Sequence, residues 1–228
     1  MTDTLRLTDV ELIIGERQIL QRMSIEFQPG EVTALSGPSG SGKTTVLSIA
    51  GGLLRPTRGG AAYGELPMWQ RDGDPRQQVA FVLQVYGLVP ILSARENIAI
   101  ALRARGVSPG QANDEADREL QRFHIGDLGD RQVEELSGGQ MQRVACARGF
   151  AVKADILLAD EPTSELDDGN REHVMSQLNA EARRGAIVVV ATHDPAVVAA
   201  ADRNFILDDG VLTDHIEPVS RLHAGFGG

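Results

Sequence analysis

The period of the apolar positions changes several times along this chain, and each change predicts an element. Residues 5–14 and 23–27 alternate as half-buried strands do, with Gly15 and Pro29-Gly30 as turn signals. They predict an antiparallel hairpin leading into a short buried strand at 32–36, around Val32, Ala34 and Leu35. Thr44 to Ala50 reads as the first turns of a helix, which Gly51-Gly52 end. Arg55 to Asp74 is rich in Gly, Pro and charge and reads as loops and short strands. Val79 to Leu83 is an apolar strand with Gln84 at its end. From Ser93 to about Gly106, and from Gln111 to about Phe123, the spacing becomes helical, and a third helix begins after Ser137 and runs through Val144 toward Phe150. Ile156-Leu157-Leu158-Ala159 is a continuous apolar run, the mark of a parallel strand buried on both faces. A helix over about 168–183, a strand at Ile187–Val190, a short helix around 196–201 and a hairpin near 204–214 follow. The expected architecture is α/β: a core with a mostly parallel sheet and an N-terminal antiparallel hairpin over 1–84 and 154–228, and a helical subdomain over 85–153. No internal repeat or low-complexity tail is visible.

Composition narrows the function classes. With 228 residues the chain is long enough for a substantial core in one domain with a subdomain. A net charge of −10 argues against a nucleic-acid surface and against direct adhesion to anionic lipid. Cys146 is the only cysteine, so no internal disulfide is possible and a reducing compartment is natural. It lies in Val144-Ala145-Cys146-Ala147, an apolar helical stretch that suits a small buried thiol better than a nucleophile. Met1 to Arg6 shows no signal peptide, and Ala186 to Ala191, the longest apolar run, is too short to cross a bilayer. The expected location is cytoplasmic, or at a membrane only through a partner. The chain ends soon after its last hairpin, so a large regulatory domain is not expected.

The candidate chemistry begins at Gly37-Pro38-Ser39-Gly40-Ser41-Gly42-Lys43-Thr44-Thr45, which fits the phosphate-loop pattern G-x-x-x-x-G-K-[ST] between a strand and a helix. Glycines at 37, 40 and 42 let the backbone curl so that successive N–H groups point at an anion, and the helix start adds its positive dipole end. Lys43 then reaches the β- and γ-phosphates and the Thr44 hydroxyl sits on Mg²⁺. The plainer reading, a Gly/Ser-rich surface turn, leaves the flanking strand and helix unexplained. Asp160 ends a buried strand where it would hold Mg²⁺, directly or through water. Glu161, pointing the other way, would polarise the attacking water as a general base. Alone, Asp-Glu-Pro-Thr is equally a polar loop; the phosphate loop tips it toward function. Ser137 with Gln140 is a capping box, a routine helix start. Gly138 and Gly139 are poor helix formers there, and make sense if exposed N–H groups must approach a phosphate closely.

Taken in order from Gly30-Glu31 to Asp209-Gly210, these features resemble the nucleotide-binding subunit of an ATP-binding cassette (ABC) transporter. The matching residues are the phosphate loop, Gln84, Leu136-Ser137-Gly138-Gly139-Gln140, Asp160-Glu161, Ser164-Glu165-Leu166-Asp167 and Thr192-His193-Asp194. The resemblance implies a P-loop NTPase core, ATP and Mg²⁺ as cofactors, and Lys43, Glu161 and His193 as the catalytic set. Thr44, Gln84 and Asp160 would serve the metal. Gln84 would also touch the nucleophilic water and lead into the helical part that meets a membrane permease; in isolation it is a strand-end polar residue. Ser137, Gly138, Gly139 and Gln140 would bind the ATP of a second nucleotide-binding subunit, a copy or a related chain, so that two chains sandwich two nucleotides. Asp167 would sit at that subunit contact, or more plainly cap the helix at 168–183. His193 would contact the γ-phosphate; a strand-end histidine bonded to nearby backbone is its plainer fate. His124, His173, His215 and His223 gain no role from their context. Nucleic acid is not an expected partner, and the implied location is the inner face of the membrane, peripheral through the permease.

Two positions depart from the family pattern. Ile14 stands where an aromatic residue usually stacks on adenine, so the stacking term is lost. Glu165 stands where Ala or Gly is common, which affects detail at the subunit contact. Gly51 to Thr57 and Ser93 to Ile98 are similar to the branch serving lipoprotein release and macrolide-type export. The rival to a transport ATPase is an ABC-type ATPase acting on ribosomes or DNA. Such proteins generally carry two cassettes or a long coiled coil, whereas the interval from Gln84 to Ser137 is short and without sustained heptads. A small-molecule kinase would leave Leu136 to Gln140 unexplained.

Overall fold

The computed structural model describes residues 3–70 and 76–216. Residues 71–74 of the predicted loop, His223 and the side chain of His215 lie outside the described residues. Strands β1 (Leu5–Ile14) and β2 (Arg17–Phe27) form the antiparallel hairpin, turning at Gly15 with φ 62°. Strand β2 starts six residues earlier than expected. Its pairing with β1 slips where Val10 faces Met23 and Leu12 faces Leu20, so the strict alternation is lost although the strand continues. The hairpin forms a separate antiparallel sheet with β4 (Arg58–Tyr63) and β5 (Leu66–Pro67), in the order β2-β1-β4-β5.

The second sheet contains β3 (Val32–Ser36), β6 (Val79–Val82), β7 (Ile156–Asp160), β8 (Ile187–Thr192), β9 (Arg203–Asp208) and β10 (Val211–Ile216), in the order β10-β9-β3-β8-β7-β6. All its pairings are parallel except β9 with β10. Every residue of β7 and β8 is buried, as their continuous apolar runs require. Their side chains divide between the two faces. Leu157, Ala159, Val188 and Val190 join one core, and Ile156, Leu158, Ile187 and Val189 the other.

The helices cover both faces. Helix α1 (Lys43–Ala50) and the β1–β2 hairpin supply Val46, Leu47, Ile49, Leu20 and Phe27 to one core. Helices α2 (Ala94–Arg103), α3 (Pro109–Arg122), α4 (Gly138–Ala151) and α5 (Asp168–Arg183) supply Ile98, Leu120, Phe150 and Val174 to the other. Each such side chain, fully buried, contributes about 1.5–3 kcal/mol. Local rules set the boundaries. Ser93 and Glu96 form a capping box on α2, Pro109 opens α3, and Asp194 caps the short α6 (Pro195–Ala200).

This topology decides where chemistry can occur. Strands β3, β6, β7 and β8 run parallel, so their C-terminal ends share one edge. In register, Ser36 lies beside Thr192 and Asp160 beside Ala191. The loops leaving that edge converge, as ligand-binding loops do in open α/β sheets.

Candidate active site

The first helix start presents N–H groups of the kind that suit an anion. Helix α1 begins at Gly42, whose φ of 106° is left-handed, and no side chain caps it. A Cβ on Gly37 would run into the Leu207 carbonyl oxygen, and one on Gly42 would lie 2.7 Å from Leu20 Cδ2. Only glycine therefore fits the curl. The loop is pinned by Ser41 N–H donating to the Pro38 carbonyl at 3.2 Å and by Gly210 N–H donating to the Ser41 carbonyl at 3.0 Å. Lys43 is nearly buried, and its Nζ donates to the carbonyls of Gly37 (2.8 Å) and Pro38 (3.0 Å). The cation thus sits over the curl, beside the uncapped N–H groups.

The carboxylates follow from β7. Thr44 Oγ1, in the first turn of α1, donates to Asp160 Oδ2 at 2.6 Å, although β8 lies between β3 and β7 in the sheet. Burial holds the Asp160 carboxyl above the usual carboxylate range, and the neighbouring Glu161 charge adds to this; the Thr44 hydrogen bond and the Lys43 charge oppose it. A buried carboxylate beside a hydroxyl is a hard-oxygen pair lacking a nearby compensating cation other than Lys43, which suits Mg²⁺.

Glu161 is turned away from Asp160 by its backbone. Its φ is 48°, and its N–H donates to the Ala191 carbonyl at 2.9 Å. A left-handed conformation costs a non-glycine residue roughly 1–2 kcal/mol, and such strain clusters at functional sites. The buried carboxylate lies with Oε1 2.7 Å from His193 Nδ1, and its Oε2 accepts from Thr192 Oγ1 at 3.3 Å. Since an ionised carboxylate only accepts, the His193 tautomer that makes this hydrogen bond to it is the one with a proton on Nδ1. The His193 side chain is 62% exposed. The plainer alternative, a strand-end histidine bonded to nearby backbone, is not what forms; the partner of His193 is Glu161.

The second helix start is a different object. Ser137 and Gln140 form the full capping box on α4, with Gln140 N–H donating to Ser137 Oγ at 3.3 Å and Ser137 N–H to Gln140 Oε1 at 2.9 Å. A Cβ on Gly139 would lie 2.8 Å from the Glu165 carbonyl oxygen, and one on Gly138 would lie 3.2 Å from Glu165 Oε2. The glycines therefore answer a close approach within the chain itself. Among the described residues, no hydrogen bond or ion pair joins this helix start to the phosphate loop.

The remaining residues divide clearly. Asp167 does cap α5, accepting from Asn170 N–H at 2.8 Å; this bond, then the Asn170 side chain, holds its carboxyl below the usual range. Gln84 lies two residues beyond β6, exposed, with no side-chain hydrogen bond among the described residues. The following Tyr86 and Gly87 carbonyls accept from the part-buried Arg148 guanidinium, an anchor that sequence reasoning misses; an arginine inside the apolar stretch of α4 is its signal. Thr192, which steadies Glu161, stands out in the sequence only as part of a motif. Cys146 is inert: burial pushes its thiol up to about 12. His173 is structural, bonded to the Arg122 carbonyl at 2.7 Å and stacked on His124.

The family model described as ABC transporter matches residues 20–164, more than half of the chain. The chain belongs to the ABC transporter family. It is similar to an uncharacterised ABC transporter ATP-binding protein of Mycobacterium bovis, 40% identical over 210 residues, covering 90% of this chain and 63% of that protein. The chain thus spans less than two thirds of the length of these mycobacterial relatives. It is also similar to the lipoprotein-releasing system ATP-binding protein LolD of Hyphomonas neptunium, 38% identical over 209 residues, covering 89% of this chain and 92% of LolD. Among solved structures, it matches the dimeric post-hydrolysis state of the ATP-binding cassette MJ0796 bound to ADP and Pi. The TM-score is 0.86 at 31% identity, covering 93% of this chain and 98% of that one.

Proposed function

We propose that the chain is the ATP-binding and ATP-hydrolysing subunit of an ABC transporter, which dimerises around ATP and drives a separate membrane permease. The observation that carries this reading is the divergence of two adjacent carboxylates beside one phosphate loop. Asp160 faces Thr44 and Glu161 faces His193.

The division of labour follows from that geometry. The uncapped N–H groups of Gly37 to Thr45 take the β- and γ-phosphates, and Lys43 exchanges two neutral carbonyls for charged oxygens, which make stronger partners. Thr44 and Asp160, with Gln84, would hold Mg²⁺, which neutralises charge on the phosphate oxygens when bound. Glu161 orients a water and takes its proton as the water attacks the γ-phosphorus, and the ADP β-oxygen leaves. Thr192 and His193 fix the Glu161 carboxylate, and His193 Nε2 would donate to the γ-phosphate when the ring carries a proton on both nitrogens. Ser137, Gly138, Gly139 and Gln140 take the γ-phosphate of a second subunit, with Asp167 at the subunit contact. The likeness to MJ0796, a cassette seen as a dimer bound to ADP and Pi, supports this arrangement.

The permease contact rests on a surface feature. Val85 (82% exposed), Val89 and Ile91 (76% exposed) present apolar side chains just beyond Gln84, and the exposed Ile100 lines a groove with Leu92, Arg95, Glu96 and Arg103. No helix among the described residues is long and apolar enough to cross a membrane. The helical part, 85–153, would meet a permease at the inner face of the membrane. The LolD and lipoprotein-release naming of a relative agrees with the export branch.

Phosphate release from ATP tests the reading. Glu161→Gln is expected to bind ATP, accumulate as an ATP-bound dimer, and lose about 100-fold or more in turnover, the scale of a general base. Turnover at the wild-type rate removes Glu161 from that role.

A further inference from the structure

One side chain with no assigned role links the start of α5 to the loop that presents His193. Arg171 lies one turn beyond Asp167, the cap of α5. Its Nη1 pairs with Asp168 Oδ1 at 2.6 Å and its Nε lies 3.0 Å from Asp194 Oδ2, an ionic contact without hydrogen-bond alignment. Asp194 is held on its other sides. Its Oδ1 accepts from Ala196 N–H at 2.8 Å, and its own N–H donates to Thr192 Oγ1 at 3.0 Å. Thr192 Oγ1 in turn donates to Glu161 Oε2, and His193 stands between Thr192 and Asp194 in sequence. Glu161, Ser164, Arg171, His193 and Asp194 line one cleft of 360 Å³.

We propose that Arg171 is a positioning residue for hydrolysis, holding Asp194 so that His193 and Thr192 keep the Glu161 carboxylate aimed. The inference rests on the ATPase reading above. Both partners of the Arg171–Asp194 pair are about a quarter exposed, and ion pairs so placed contribute little to stability. What the pair does set is where the loop carrying His193 sits, and displacement of a supporting group by about 1 Å can cost 10²-fold in rate.

The test is steady-state ATP hydrolysis by the full chain, with melting temperature measured alongside. Arg171→Ala is expected to lower kcat about tenfold while KM for ATP changes less than about twofold, the pattern of an interaction expressed in the transition state. Arg171→Lys, which keeps the charge on Asp194, should recover part of the loss. Asp194→Asn keeps the α6 cap, and combined with Arg171→Ala it should lower kcat no further than Arg171→Ala alone. Arg171→Gln substitutes for the alanine variant if that one does not fold. Wild-type kcat in Arg171→Ala, a matching rise in KM, or full additivity with Asp194→Asn overturns the proposal. A wild-type chain that fails to hydrolyse ATP overturns the underlying reading instead.

Discussion

The chain has two helix starts suited to phosphate, and they are prepared in opposite ways. At the start of α1 no side chain caps the helix, the curl is pinned by neighbouring loops, and a lysine waits over it. At the start of α4 the capping box engages the N–H groups of Ser137 and Gln140. It leaves the amides of Gly138 and Gly139, which a helix start does not pair internally. The first start is thus uncapped and pinned in its curl, the second already half satisfied. On the proposed reading the first would supply affinity by itself, and the second would add a contact only when a phosphate is brought to it, as a signal of nucleotide occupancy between two subunits requires.

Variants at the two starts should therefore fail differently. Lys43→Ala removes a charge-assisted contact worth about 1.5–3 kcal/mol, so ATP binding by the single subunit should weaken about 10- to 100-fold in a titration. Unchanged affinity would remove Lys43 from the site. Gly139→Ala should instead leave single-subunit affinity alone. The new Cβ meets the Glu165 carbonyl at 2.8 Å, and relieving that overlap costs about 1–3 kcal/mol. ATP-driven dimerisation of the Glu161→Gln form should weaken in proportion, and an equal loss of single-subunit affinity would erase the distinction.

The smallest effect concerns Asp160, and its sign is opposite. Because the folded chain holds this carboxyl above its unfolded range, its contribution is favourable at pH below the unfolded value and is lost as pH rises through the folded one. At neutral pH the buried charge destabilises. Asp160→Asn keeps an acceptor for Thr44 and should raise the nucleotide-free melting temperature at pH 7, about 2–4 °C per kcal/mol for a chain of this size. The gain should shrink toward acid pH, while Mg²⁺-dependent hydrolysis is lost. A lower melting temperature at pH 7 would contradict the burial argument.

Much of this is legible from residue order. The span of α5 follows from Asp167 as a cap and from helical spacing, and β7 and β8 announce themselves as apolar runs because both their faces are covered. Strand β2 reads short because its apolar Ile19-Leu20 and polar Gln21-Arg22 break the alternation, which a slip in pairing with β1 accommodates. That the hairpin joins β4 rather than the parallel sheet is not written in any local pattern, since pairing partners distant in sequence leave no periodic trace. The same limit applies to the site. Lys43, Thr44 and Asp160 are found by motif and strand end. Arg171 and Arg148 are not, because an arginine on a helix looks like ordinary surface until its partner arrives from another segment. The glycines at 138 and 139 stand out in the sequence, and the close approach the fold displays there is to Glu165.

The central claim is that a triphosphate is held between the α1 start of one subunit and the α4 start of its partner. A crystal structure of the Glu161→Gln form with ATP and Mg²⁺ tests it most directly. The expected result is a dimer in which Ser137 Oγ and the Gly139 N–H lie within hydrogen-bond distance of the γ-phosphate gripped by Lys43 of the other chain. A structure with Ser137 remote from every γ-phosphate would contradict it.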